Sequence, residues 1–312
     1  MLNYTIKRLL EAIPIWVAIT LIVFVLMNII PGDPVAQLMD ARSGALDENV
    51  MKQIREQWGL NDPLPLQYLH FLQGVVQGDF GTSYQSRSSV TELLIERIPV
   101  TLQITVLGLI IAIVIGITVG TIGALKRGSW IDSFVSSFSV SGVSLPSFFL
   151  GLILMYLFAV KFRLLPATGY VAGDIRYLIL PSLTLALAVS GVIARITRSA
   201  MIDILRMDYM TTAISKGMSS GRIIVLHALK NAMPPILTII GVQMGLLLSG
   251  AVITETIYGL PGVGRLMIDA ILQRDLPIVQ GCVVFVATVF LLVNLLTDIG
   301  CRLIDPRIKV ES

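Results

Sequence analysis

Apolar runs long enough to cross a lipid bilayer recur along this chain, and they exclude a soluble globular fold. The first run would span roughly 28 Å as a helix, close to the thickness of the hydrocarbon core. With 55% hydrophobic and only 14% charged residues, a soluble fold would expose too much apolar surface. We therefore predict an all-α integral membrane protein. Its six transmembrane helices are expected at residues 12–30, 102–125, 134–160, 177–196, 236–257 and 278–296.

The first run is predicted to be a retained span, although it could be mistaken for a secretory signal peptide. It is long for a signal peptide, and it is followed by Pro31-Gly32-Asp33-Pro34 without a small-residue cleavage site. Lys7 and Arg8 precede it, which favours a cytoplasmic N-terminus. With six spans the C-terminus is then also cytoplasmic, and the short outer loops are poor in basic residues, as expected.

A long polar segment, 31–99, separates the first two spans and is predicted to be a folded extracytoplasmic loop with short helices. Apolar residues recur there at four-residue spacing, as on one helix face, at Leu46, Val50, Ile54 and Trp58. Ser89 and Glu92 resemble a capping box that opens a helix, and we expect Pro99 to stop that helix. Turn-forming residues cluster at 31–34 and 78–81.

The segment between the fourth and fifth spans is basic and water-compatible, in contrast to the apolar runs on both sides. We predict two short helices, 207–214 and 223–231, separated by a turn at Gly217, Ser219, Ser220 and Gly221. Such a helix-turn-helix on the membrane surface is a lever that a soluble partner can push. An ordinary basic loop would explain the charge but not the spacing of these glycines.

The segment contains Asp208-Tyr209, Thr212-Ala213 and Lys216-Gly217-Met218-Ser219, followed by His227-Ala228-Leu229-Lys230-Asn231-Ala232. This pattern resembles the coupling loop, or EAA loop, of importer-type ABC permeases in the dipeptide, oligopeptide, nickel and glutathione branch. Thr211 and Thr212 stand where Glu and Ala are commonest, and Ile214 stands where the peptide branch often has Arg. The resemblance implies the type I importer fold and a short helix seated in a groove of a cytoplasmic ATPase. The coupling residues it implies are Asp208, Tyr209, Thr212, Ala213, Lys216, Gly217, Met218, Ser219, His227 and Asn231.

The resemblance covers nearly the whole chain and implies two further sets of residues. The pathway and outer-gate set is Ser144, Pro146, Glu255, Pro261, Gly262, Gly264, Arg265, Arg274 and Asp275. The set implied to contact a solute-binding protein is Gly32, Asp33, Asp79 and Phe80.

Each of these sets also has a purely structural interpretation. Pro146 would simply kink a packed helix. Glu255 would be an interfacial carboxylate bound to turn amides or paired with Arg265. The turns at 31–34 and 78–81 would be rigid connections only.

Several catalytic functions are not supported by the sequence. The glycine cluster at 259–264 lacks the preceding strand and the Gly-Lys-Ser/Thr ending of a phosphate loop, so we expect no nucleotide site and no enzyme activity in this chain. Cys282 and Cys301 are predicted to be packing residues, and the two histidines lie far apart, so no metal site is expected. Leu165-Pro166-Ala167-Thr168-Gly169 is predicted to be an outer turn and not a sortase signal.

The resemblance thus predicts a bacterial inner-membrane permease subunit that forms half of a pathway for di- or oligopeptides. Its expected partners are a homologous permease, two ATPases that hold the ATP and magnesium, an extracytoplasmic binding protein and the bilayer, with no nucleic acid. Nickel chelates or glutathione are alternative solutes. A self-sufficient secondary transporter or channel and a membrane-embedded enzyme are competing classes. The predicted regions are 1–30, 31–99, 100–303 with the coupling loop at 197–234, and a tail at 304–312.

Overall fold

The computed structural model of the chain describes residues 2–29, 48–57 and 59–304. Regular structure in these ranges is helical, apart from one isolated bridge between Thr82 and Ser89. The predicted features at Gly32, Asp33, Leu46 and Trp58 lie outside the described residues, as does the tail beyond residue 304.

The helices of the described part are numbered in chain order. They are α1 (Leu2–Ile29), α2 (Glu48–Gln57), α3 (Leu64–Val76), α4 (Val90–Leu125), α5 (Trp130–Ser144), α6 (Ser147–Met155, continued by a π-helical turn, Tyr156–Lys161), α7 (Arg176–Leu205), α8 (Asp208–Ser215), α9 (Ser220–Tyr258, with a π-helical segment at Ile223–Leu229), α10 (Val263–Leu272) and α11 (Leu276–Ile304).

Five of these helices, α1, α4, α7, α9 and α11, are long and apolar enough to cross a membrane. They coincide with five of the six predicted spans. The remaining apolar helix, Ser147–Lys161, is shorter.

The predicted third span, 134–160, is not one helix, and the interpretation of Pro146 as a simple kink was wrong. Helix α5 ends at Ser144 and α6 begins at Ser147, with Pro146 at the N-cap in an extended conformation (φ −58°, ψ 135°). Proline lacks the amide hydrogen that a continuing helix needs, and it disfavours helical geometry in the residue before it. Residues 145–146 therefore form a break.

Two other predicted helix boundaries were also wrong. Pro99 does not stop a helix, because α4 runs through it, and buried Leu94 and Val100 hold the helix on either side. The piece predicted at 223–231 is not separate, because it is the first part of α9, which continues through Pro234 and Pro235. The predicted cap is present, since the backbone N–H of Glu92 donates to Ser89 Oγ at 3.4 Å.

The chain forms two compact units. The first comprises residues 1–100 and 261–291. In it the indole N–H of Trp16 in α1 donates to Thr288 Oγ1 in α11 at 3.0 Å. Its apolar core contains Cys282, a buried packing residue as predicted, and the other buried members are Val90, Leu94, Val263, Ala270, Ile278 and Val279.

The second unit comprises residues 101–260 and 292–312. Its helices approach closely at glycines. A methyl group at Gly120 of α4 would lie 2.4 Å from the carbonyl oxygen of Ala194 in α7, and one at Gly116 would lie 2.6 Å from Ile193 Cβ. Gly116 and Gly120 lie four residues apart on α4, a spacing of small residues that lets another helix approach closely, and α7 is the helix that does so.

We predict that Gly120→Ala destabilises the protein by about 1–3 kcal/mol, because the added methyl group would force α4 and α7 apart. Thermal unfolding of the purified protein in detergent measures this change. Gly300→Ala is the matched control, since a methyl group there meets no atom within 4 Å. Equal melting temperatures for the two variants would contradict the packing argument.

Candidate functional site

Helix α8 is the centre of the candidate site, and it is held to the protein by one face. It lies between the end of α7 at Leu205 and the start of α9 at Ser220. Met210 and Ala213, three residues apart, are buried. The opposite face is open to a partner, and the predicted coupling residues Asp208, Tyr209, Thr212 and Lys216 are all exposed.

A glycine turn ends α8 in a defined geometry. Gly217 has a left-handed φ of +75°, its N–H donates to the carbonyl oxygen of Ile214 at 2.9 Å, and the N–H of Met218 donates to that of Ala213 at 3.3 Å. These two bonds define a Schellman motif, which requires positive φ at the glycine position. Ser219 then adopts the extended conformation of an N-cap and opens α9.

Helix α8 is also tied to the start of α9. The Asn231 side-chain N–H donates to the Tyr209 hydroxyl oxygen at 3.0 Å, which joins two predicted coupling residues that lie 22 positions apart. His227 is half-buried in the π-helical segment beside buried Ala228. The structure therefore brings both halves of the predicted motif into contact with each other.

An ion pair that the sequence did not reveal involves α7, the helix that leads into α8. Arg198 of α7 donates to Asp132 of α5 through Nε at 2.5 Å and Nη2 at 2.8 Å. The backbone N–H of Gly128 donates to the same carboxylate at 3.0 Å. The hydrogen bond from Arg198, and then that from Gly128, lower the pKa of Asp132 to about 2, so this carboxylate stays charged.

Glu255 lies near the end of α9 and is fully buried. The Thr101 hydroxyl donates to Glu255 Oε1 at 2.6 Å, and the backbone N–H of Leu260 donates to the Glu255 carbonyl oxygen at 2.9 Å. This last bond belongs to a glycine turn at Gly259 (φ +66°) that ends α9. A buried, hydrogen-bonded acid in an apolar helix is a functional candidate, and Thr101 is a partner that sequence reasoning missed.

A second buried polar contact lies at the same end of α9. The Tyr258 hydroxyl donates to the carbonyl oxygen of Gly151 in α6 at 3.0 Å and lies 3.0 Å from the Thr184 hydroxyl in α7. Three helices therefore meet at one tyrosine. Tyr258 and Thr184 lie 74 positions apart, and no motif in the sequence links them.

The break at residues 145–146 exposes apolar side chains. Leu145, Phe148 and Phe149 are exposed together with Pro146, one of the predicted pathway residues. Ser144 is the last residue of α5. Exposed aromatic side chains beside an interrupted helix suit a surface that faces lipid, a partner or a pathway.

Asp275 of the predicted outer gate fixes a turn in the first unit. It is buried and accepts hydrogen bonds from the Ser83 hydroxyl, from the Tyr84 N–H at 3.2 Å and from the Gln85 N–H at 3.1 Å. Burial, and then the charge of Asp275, raise the pKa of Tyr84 to about 12. Arg274 beside it has a left-handed φ of +52°.

The other predicted outer-gate residues lie around the start of α10. Gly262 is the N-cap of α10, Gly264 is buried, and Arg265 Nε lies 3.9 Å from Asp269 Oδ2. Pro261 precedes this cap and is half-buried. In the 78–81 turn Asp79 accepts the N–H of Gly81 at 2.8 Å, and Phe80 packs against the core of the first unit.

Family comparison accounts for almost the entire chain. Residues 108–310 match the family described as the binding-protein-dependent transport system inner membrane component, and residues 1–105 match the N-terminal region of such membrane components.

Curated relatives match over the full length. A Sinorhizobium fredii protein named "Probable peptide ABC transporter permease protein y4tP" is 40% identical over 98% of this chain and 99% of its own. The glutathione transport system permease protein GsiC of Salmonella typhimurium is 40% identical over 100% of both chains. Among solved structures, a chain of the inward-facing MetNI methionine ABC transporter is similar in fold, with a TM-score of 0.58 and 18% identity over 68% of this chain and 96% of that chain.

The family match and the full-length relatives define an integral-membrane permease of the ABC importer class. This chain belongs to the family of binding-protein-dependent transport system inner membrane components. Proteins of this class work with a separate ATPase and a solute-binding protein, so the class assigns nucleotide hydrolysis to a partner chain.

We predict that Asp275→Ala releases the 83–85 turn, because two backbone amides and one hydroxyl lose their buried acceptor. Hydrogen exchange of the Tyr84 and Gln85 amides should accelerate by about tenfold or more. Asp269→Ala is the matched control, since that carboxylate is exposed and makes a long contact with Arg265. Unchanged exchange in Asp275→Ala would show that the turn is held by other contacts.

Proposed function

We propose that this chain forms half of the translocation pathway of an ATP-driven importer of di- and oligopeptides, and that α8 docks into a groove of a cytoplasmic ATPase. One observation carries the proposal. A short helix is anchored by Met210 and Ala213, ends in a Schellman turn at Gly217, and presents its polar face outward between two membrane-length helices.

The proposed topology has six spans with both termini in the cytoplasm. The remaining crossing, third in chain order, is the segment Ser147–Lys161. It is shorter than the other five spans, but its side chains are strongly apolar. The segment that follows α1 and contains α2 and α3 is extracytoplasmic in this arrangement. The basic residues of the 195–235 segment, with Lys126 and Arg127, favour this orientation.

The proposed complex contains a second, homologous permease, two ATPases that bind ATP and magnesium, and an extracytoplasmic solute-binding protein. In this complex the present chain binds no cofactor itself. The exposed side chains of Met207, Tyr209 and Ile214 around α8 give the ATPase an apolar contact surface beside the polar one.

The proposed mechanism treats α8 as a rigid lever. When the ATPases close, they displace α8, and its contacts carry the displacement to its neighbours. The connection at residues 206–207 leads to α7, and the Tyr209–Asn231 hydrogen bond leads to α9. Tilting of these two spans would change the side to which the pathway opens.

The proposed gate residues lie at the ends and breaks of the helices that this motion would tilt. Glu255 and the 261–265 turn lie at the end of α9 away from the proposed coupling segment, residues 197–234. Pro146 lies at the break between α5 and α6. Asp275, Arg274 and the 78–81 turn are proposed to support the surface that receives the binding protein, together with Gly32 and Asp33.

Peptides are the proposed solute class, and glutathione, itself a short peptide derivative, is the nearest alternative. The support is that relatives named for peptide and for glutathione transport are equally similar, at 40% identity over nearly full length. Nickel chelates are a third candidate. A self-sufficient secondary transporter is a more remote one, and solute flux by the purified chain without ATP would favour it.

We predict that Gly217→Val uncouples ATP hydrolysis from uptake while the protein still inserts. A side chain at φ +75° costs roughly 1–2 kcal/mol and disturbs the end of α8. Transport by the reconstituted complex should fall by about tenfold, while ATP hydrolysis persists.

Gly221→Val is the matched control for this experiment. Gly221 lies four residues after Gly217 and has helical backbone geometry. A Cβ atom added at Gly221 would meet no atom within 4 Å. It should retain most of its transport. Wild-type transport by Gly217→Val would count against the coupling assignment.

The solute itself is tested through the cognate binding protein. We expect mass spectrometry of that protein, purified without denaturation, to show bound di- or oligopeptides, and uptake of the same peptides to require this chain. Glutathione in their place would assign the alternative solute, and a nickel complex would exclude the peptide proposal.

A further inference from the structure

One carboxylate joins three pieces of the second unit. Asp132, in the first turn of α5, accepts two hydrogen bonds from the Arg198 guanidinium and one from the Gly128 backbone. Gly128 belongs to the turn that connects α4 to α5 and has a φ of +77°. The end of α4, the start of α5 and the last third of α7 are therefore fixed to one another.

Helices α5 and α7 are also in backbone contact at a second level. A methyl group at Gly191 of α7 would lie 3.0 Å from the Ser139 carbonyl oxygen of α5. Asp132 and Ser139 lie seven residues apart, which is about 10 Å along a helix. Two attachment points at this separation resist both sliding and tilting of α5 against α7.

The position of Arg198 relates this attachment to the coupling segment. Arg198 lies seven residues before the end of α7 at Leu205, and α8 begins at Asp208 after only two connecting residues. A displacement of α8 would therefore be transmitted to the part of α7 whose Arg198 binds Asp132. Helix α5, in turn, leads directly to the break at 145–146.

We propose that Asp132 and Arg198 are positioning residues that make α5 move together with α7, so that displacement of α8 reaches the helix break at Pro146. This inference rests on the proposed function of α8. It adds a second route for the motion, through α5, beside the direct one through α7 and α9.

The chemistry of the pair suits this role. A two-point guanidinium–carboxylate contact fixes orientation as well as distance, whereas apolar contacts between helices allow sliding. The side chains are only 27% and 11% exposed for Arg198 and Asp132, so water and salt screen the pair less than a surface pair. A purely structural anchor would stabilise the fold without affecting how ATP use is linked to transport.

The chain offers a matched control pair. Arg176 donates to Asp174 through Nε at 3.0 Å and Nη2 at 2.6 Å, which is the same two-point contact. These residues lie two positions apart at the start of α7, so their contact is local and fixes no second helix. Loss of this pair removes a similar ion pair without releasing α5.

The test compares Asp132→Asn with Asp174→Asn in the complete transporter, reconstituted with its ATPases and binding protein. Asparagine at 132 keeps an acceptor for Gly128 and loses the ion pair. We expect Asp132→Asn to raise the ATP hydrolysed per solute transported by about fivefold, and Asp174→Asn to leave this ratio at the wild-type value.

Arg198→Lys is the second variant, and it covers the case in which Asp132→Asn does not assemble. It keeps the charge and removes the two-point contact, so it should also raise the ratio. A wild-type ratio in the variant that assembles would overturn the inference. If Gly217→Val uncouples transport while the Asp132 and Arg198 variants do not, only this inference fails; if none of them uncouples transport, the proposed role of α8 fails as well.

Discussion

Every peptide group that crosses a bilayer must find its hydrogen-bond partner inside the protein, and this constraint shapes the whole described chain. Long helices run through Pro99 and Pro234 and do not end there. The same constraint makes each interruption of a helix informative, because the backbone N–H and C=O groups freed there need other hydrogen-bond partners. The Schellman turn at Gly217, the glycine turn at Gly259 and the break at Pro146 are such interruptions, and the candidate functional residues cluster around them.

Rigidity and exposure are combined in the coupling segment. Helix α8 is too short to be stable alone, so its buried pair, Met210 and Ala213, and the Tyr209–Asn231 hydrogen bond hold it in place. Its other face remains free for a partner. The Asp132–Arg198 ion pair fixes α5 to α7, so in the proposed mechanism a force on α8 would act on packed helices and not on a flexible loop.

The sequence by itself determined the membrane class, five of the helices that can span a bilayer, and the turn inside the coupling segment. These features depend on local chemistry: apolar runs of sufficient length, the conformational freedom of Gly217, and the capping ability of Ser89. The four-residue spacing of Gly116 and Gly120 permits a close helix contact, because small residues let backbones approach, although the partner helix cannot be read from this spacing.

Tertiary structure decided where helices end and which distant residues meet. Pro99 and Pro146 have the same intrinsic effect on a helix, yet α4 continues through the first and the chain breaks at the second. The contacts of Asp132 with Arg198, Glu255 with Thr101 and Asp275 with Ser83 join residues 66, 154 and 192 positions apart. No local pattern encodes such pairs, because the free energy that selects them comes from burying polar groups together only after the helices have packed.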